Sequence, residues 1–80
     1  MNLTDRSREL FLAYAKDAGN WSGTPMIGGN VVGSKEDRGN ITQLKRAGLI
    51  RTFRSEGNDF IEFTEAGKSY AREFGIEIRE

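Results

Sequence analysis

At 80 residues and zero net charge, with neither cysteine nor histidine, the chain has room for one small domain spanning 1–80. That inventory excludes disulfides, zinc sites built on cysteine or histidine, and histidine-based catalysis. No charged segment followed by an apolar run marks a secretory signal, and no apolar run is long enough to span a bilayer. A cytoplasmic protein without membrane contact is expected, so the sequons at Asn2, Asn20 and Asn40 are given no function.

Thr4 or Asp5 caps a first helix in which Leu10, Phe11, Tyr14, Ala15 and Ala18 recur at helical spacing, and Gly19 and Asn20 end it. Trp21–Gly33 follows, rich in glycine and holding the only proline. Ser22–Pro25 reads as a turn or very short strand, and Met26–Val32 as at most one irregular helical turn. Ser34 restarts regular structure, with Asp37 three residues on as the acidic half of a capping box. The helix predicted there runs 34–47, with Ile41, Leu44 and Ala47 as its buried stripe. Gly48 occupies the left-handed position after it, and Leu49 is expected to press back onto Leu44.

Leu49–Arg54 and Asp59–Thr64 read as two strands joined by the turn-forming Ser55-Glu56-Gly57-Asn58. Pairing outward from that turn sets Arg54 against Asp59, Thr52 against Ile61 and Ile50 against Phe63 on one side. Phe53 against Phe60 and Arg51 against Glu62 make the other. The side with Ile50, Ile61 and Phe63 is expected to face the core. Thr64 caps a last helix whose apolar face holds Ala66, Tyr70, Ala71 and Phe74, and Gly75 closes it before an extended tail with Ile76 and Ile78. Charge is unevenly spread along these elements: residues 34–54 sum to +4, residues 55–80 to −4, and residues 1–33 to zero.

The run Leu44-Lys45-Arg46-Ala47-Gly48-Leu49-Ile50, then a hairpin, then Phe63-Thr64-Glu65-Ala66-Gly67, resembles winged-helix transcriptional regulators of bacteria and archaea. It is similar to the class that includes the multiple-antibiotic-resistance and phenolic-acid-response repressors, and a small regulator of the kind encoded by bacteria, archaea or their phages and plasmids is the expected function. The resemblance covers roughly residues 34–74. It implies an α+β winged-helix domain in which helix 34–47 reads double-stranded DNA and hairpin 49–64 acts as the wing. One departure is plain: the family places a full helix before the recognition helix, whereas this chain has Gly28, Gly29 and Gly33 there, each costing about 1 kcal/mol in a helix relative to alanine.

On a helical wheel of about 100° per residue, Lys35, Gly39, Thr42, Gln43 and Arg46 face away from Ile41 and Leu44, with Arg38 and Lys45 at the flanks. In a major groove Gln43 suits adenine and Arg46 guanine, Thr42 suits a base edge or a thymine methyl, and Gly39 lets the backbone come close. Lys35, Arg38 and Lys45 suit phosphates. The resemblance adds the hairpin tip, with Arg54, Ser55 and Asn58. A solvated helix face has the same composition, and Gly39 equally suits a point where another helix crosses.

Phe53 and Phe60, flanked by Arg51 and Glu62, pair on the hairpin face turned from the core. Either Trp21 covers them, or they form a surface for a homodimer or protein partner, which is the rival reading of the whole domain. Gly28–Lys35 has the glycine spacing of a phosphate-binding loop but ends Ser-Lys instead of Lys-Ser or Lys-Thr, so it is rejected. Glu36, Asp37, Glu62 and Glu65 lack the partners that catalysis or metal binding needs. No enzyme, cofactor or metal is expected.

Overall fold

The first helix begins where its cap is strongest. In a computed structural model of the chain, which describes residues 2–80, the Thr4 hydroxyl accepts the Ser7 N–H at 3.1 Å and opens α1, Asp5–Asp17. Gly19 and Asn20 do not end the helical path, as the sequence suggests. It tightens into a 3₁₀ turn over Ala18–Trp21 and stops at Ser22, whose φ of 55° leaves the helical region.

Between Ser22 and Glu36 the chain forms turns and bends but no helix, within the expectation of at most one irregular helical turn over Met26–Val32. Pro25–Ile27 instead runs along the outer edge of the hairpin. The Pro25 carbonyl accepts the Ile61 N–H at 2.9 Å, and the Ile27 N–H reaches the Asp59 carbonyl at 2.8 Å. These bonds satisfy backbone groups that the glycines leave outside a helix.

The second helix, α2, is shorter than its predicted span and covers Asp37–Arg46. Its first turn, over Ser34–Gly39, is drawn tight by three-residue hydrogen bonds. Its end follows the sequence: Gly48 at φ 77° donates to the Lys45 carbonyl, and the Leu49 N–H reaches back to Leu44. The same closure recurs after α3, Glu65–Glu73, where Gly75 and Ile76 return to Arg72 and Ala71.

Strands β1, Ile50–Ser55, and β2, Asn58–Phe63, pair antiparallel in the register read from the residues. Ser55 and Asn58 also pair, which shortens the turn to Glu56-Gly57, both at positive φ (51° and 81°) as a two-residue hairpin loop requires. Ile50, Ile61 and Phe63 are buried against Leu10, Phe11, Tyr14, Leu44 and Leu49. The Phe11 ring stands edge-on to Phe63 at 5.6 Å and beside Tyr70 at 5.2 Å.

Helix α3 buries Ala71 and packs Tyr70 on the core as expected, but Ala66 and Phe74 are exposed and Gly67 is buried in their place. The cause is a joint with the end of α2. The Thr64 hydroxyl donates to the Gly48 carbonyl at 2.6 Å and accepts the Gly67 N–H at 3.0 Å, and its N–H bonds the Leu49 carbonyl. That brings the Leu49 carbonyl onto the bare Cα of Gly67, where any Cβ would overlap it. No helix among the described residues is long and apolar enough to cross a membrane.

Two glycine substitutions separate close packing from mere exposure. Gly67→Ala is expected to lower unfolding stability by about 3 kcal/mol through overpacking. Gly39→Ala, on an open helical surface with nothing within reach of a Cβ, is expected to raise it by about 1 kcal/mol. Urea midpoints at unchanged m-value check both.

Candidate nucleic-acid interface

The position of α2 is set by one carboxylate. Asp37 accepts the Ser34 N–H at 2.8 Å, completing the acidic half of the capping box, and the Asn40 amide at 2.9 Å. Arg6 of α1 grips it with two nitrogens, at 3.0 and 2.8 Å. Hydrogen bonds from Arg6 and Ser34 hold the Asp37 carboxyl far below the ordinary carboxylate range, and the same contact raises Arg6. The seam continues through Ser7, fully buried, whose hydroxyl donates to Asn40 at 2.9 Å.

At the far end of this seam the Gln43 carbonyl accepts the Thr4 N–H at 2.9 Å, which half-buries the side chain. This corrects the wheel: reading adenine with both amide atoms requires that bond to break. Thr42, also half-buried, returns its hydroxyl to the Arg38 carbonyl at 2.9 Å. Lys35, Arg38, Gly39, Lys45 and Arg46 are exposed as expected, and nothing crosses at Gly39.

Of the twelve Lys and Arg residues, Arg6, Arg8, Arg51, Arg54, Lys68 and Arg72 form ion pairs. Among the described residues four of the remaining six, Lys35, Arg38, Lys45 and Arg46, sit on α2 and the turn before it. The hairpin tip is less open to a ligand than its sequence implies, because Arg54 is held by Asp59 at 3.1 Å, although Ser55 and Asn58 are exposed.

A cleft of about 630 Å³ opens between α2, the loop 27–35 and the inner side of the hairpin. Its apolar lining comes from Leu10, Tyr14, Ile27 and Ile41, and Lys35, Arg38 and Lys45 also line it. Burial pushes the Tyr14 phenol up in pKa, against a contact with the Gly28 backbone. The helical wheel gives no sign of this cleft, which exists because residues 28–35 do not coil into a helix that would fill it.

The loop is held from below by Asp17, nearly buried, which accepts the Trp21 indole N–H at 2.8 Å and the amides of Asn20 and Asn30 at 2.9 and 3.0 Å. Burial pushes this carboxyl up, but the three donors outweigh it and hold it below its ordinary value. So fixed, Trp21 meets Phe60 edge-on at 6.3 Å, and Phe60 stacks on Phe53 at 5.5 Å. Trp21 therefore covers Phe60 as expected, but Phe53 stays 42% exposed beside Arg51 and Glu62, 3.7 Å apart.

No known protein family, curated protein or solved structure matches this chain.

The Asp37 node has a pH signature. Its carboxyl titrates lower in the folded chain than in the unfolded one, so its stabilisation is complete above about pH 4 and is lost as pH falls through the folded value. Asp37→Asn is expected to melt below the parent at neutral pH, with the gap narrowing as the pH is taken below about 4. Melting curves of both proteins across that range decide it; a constant gap counts against the assignment.

Proposed function

We propose that this is a small winged-helix DNA-binding protein, a regulator or accessory factor, that engages duplex DNA with α2 and the hairpin. The observation that supports it is the cluster of cations at Lys35, Arg38, Lys45 and Arg46, which form no ion pair among the described residues, in a chain whose net charge is zero. Elsewhere most basic side chains are neutralised by a neighbour, so positive potential is concentrated where a polyanion would meet a helix. The order of elements, the Gly48 closure and the Thr64–Gly67 joint agree with the resemblance seen in the sequence, and Pro25–Ile27 lies where a third short strand would flank the hairpin.

The pose differs from that of a helix-turn-helix, because the segment 22–36 between α1 and α2 forms no helix that could cross the DNA backbone. Arg46 and Thr42 remain candidates for base contact, Gln43 is tied to α1, and Lys35, Arg38 and Lys45 fit phosphates. A module this small has a limited interface, so specific binding calls for a dimer or a second protein.

A second reading rests on Phe53. Strand alternation puts Arg51, Phe53, Phe60 and Glu62 on the opposite side of the hairpin from Thr52 and Asp59, which line the cleft beside α2. A partner on that face would leave α2 free.

Arg46→Ala is expected to weaken duplex binding at low salt without lowering the melting temperature, and Lys45→Ala to reduce the slope of log K against log salt by about 0.9. Phe53→Ser is expected to leave duplex binding intact and to reduce any self-association seen by light scattering. A duplex that binds both basic variants as it binds the parent removes the DNA reading.

A further inference from the structure

The hairpin has two edges, and among the described residues one of them is occupied. In an antiparallel pair, residues that exchange bonds with the partner strand alternate with residues whose N–H and C=O point outward. The Thr64 N–H bonds the Leu49 carbonyl, which fixes the phase. Arg51, Phe53 and Ser55 therefore bond Glu62, Phe60 and Asn58 across the ladder, and Thr52 and Arg54 turn their backbone groups away from it. On β2 the outward groups are engaged, the Asp59 carbonyl by Ile27 and the Ile61 N–H by Pro25. On β1 the outward groups of Thr52 and Arg54 have no backbone partner among the described residues. The register is unbroken over six pairs, with no bulge or proline to blunt the strand, and Arg51, Phe53, Arg54 and Ser55 are exposed.

We propose that this open edge of β1 takes an extended acidic peptide of another protein as an added strand. Main-chain bonds to Thr52 and Arg54 would hold it and side chains would select it. The charge of the occupant follows from the edge. β1 carries Arg51 and Arg54 and no acid. Lys45, which forms no ion pair among the described residues, lines one cleft with Thr52 and another with Ile50 and Arg51. The neighbouring acids stand elsewhere, Asp59 and Glu62 across the ladder and Glu56 in the turn. β2 shows what suits a neighbour of this strand, since it sets Glu62 against Arg51, Phe60 against Phe53 and Asp59 against Arg54. A strand with acids on both sides of an aromatic residue repeats that match on the open side, whereas a second β1 would bring two more arginines. The proposal deepens the second reading, on which it rests for the contact with Phe53, and needs no DNA.

A peptide copying residues 58–64, capped at both ends, is a suitable probe. On titration the Thr52 and Arg54 amides are expected to shift and saturate and their hydrogen exchange to slow, while Arg51 and Phe53, already in the ladder, change less. The same peptide with lysine in place of its two acids is expected to bind about tenfold more weakly. A version N-methylated throughout keeps the side chains but cannot donate, and is expected not to bind. Thr52→Pro, which removes an outward donor and spares the ladder, is expected to weaken the parent peptide about tenfold. Binding of the N-methylated peptide, or equal binding of the lysine peptide, overturns the proposal. So do Thr52 and Arg54 amides that stay still when the parent peptide is added; if Phe53, Phe60 and Trp21 move instead, the second reading stands without it. If Thr52 and Arg54 respond and Phe53→Ser binds the peptide unchanged, the edge stands and the Phe53 face falls. Protection of Thr52 and Arg54 that grows with protein concentration in the absence of peptide makes the occupant a second copy and overturns the assignment.

Discussion

One buried carboxylate joins three segments of the chain. Asp37 joins α1 through Arg6, the loop through Ser34 and the body of α2 through Asn40. Without that junction, the orientation of α2 would rest on the Ser7–Asn40 and Thr4–Gln43 bonds and on the packing of Ile41 and Leu44. A nearly buried acid held by a bidentate guanidinium fixes direction more than it adds stability, since desolvation offsets much of the attraction. The α1–α2 interface is accordingly divided: hydrogen bonds at Thr4, Ser7 and Asn40, and apolar packing from Leu10 and Tyr14 onward.

The opposite end of α2 is held by geometry instead of charge. Gly48 reverses the chain, Thr64 ties its carbonyl, and Gly67 lets α3 lie against Leu49 at backbone distance. Both ends of the helix are therefore pinned, one by a polar node and one by close packing. Between them Arg38, Ile41, Thr42 and Lys45 line the cleft, while Asn40, Gln43 and Leu44 hold the helix to the rest of the chain.

Interactions within a few residues of one another, or tied to strand alternation, were legible in the residues. The Thr4 and Thr64 caps, the Gly48 closure and all five predicted cross-strand pairs follow from local chemistry and a period of two. The Arg6–Asp37 pair spans 31 positions and resembles any two exposed charges until α1 and α2 are set side by side. Gln43 was misread for the same reason, because a wheel shows which face of an isolated helix is exposed and not that a neighbouring N-terminus will arrive there. Asn20, Trp21 and Asn30 read as ordinary loop residues, since only the fold gathers them on Asp17. On α3 the burial of Ala71 and Tyr70 follows from their spacing, whereas that of Gly67 does not, because Gly67 contributes closeness and not hydrophobicity.

The uneven distribution of charge gives the molecule an electric dipole and no monopole. A molecule with net charge is drawn toward a polyanion from a distance limited only by salt screening. A neutral one feels chiefly a torque, which turns the α2 side toward the opposite charge but recruits weakly and over a shorter range. Its encounters with a polyanion would be correctly oriented more often than chance while their frequency stays near that of an uncharged particle.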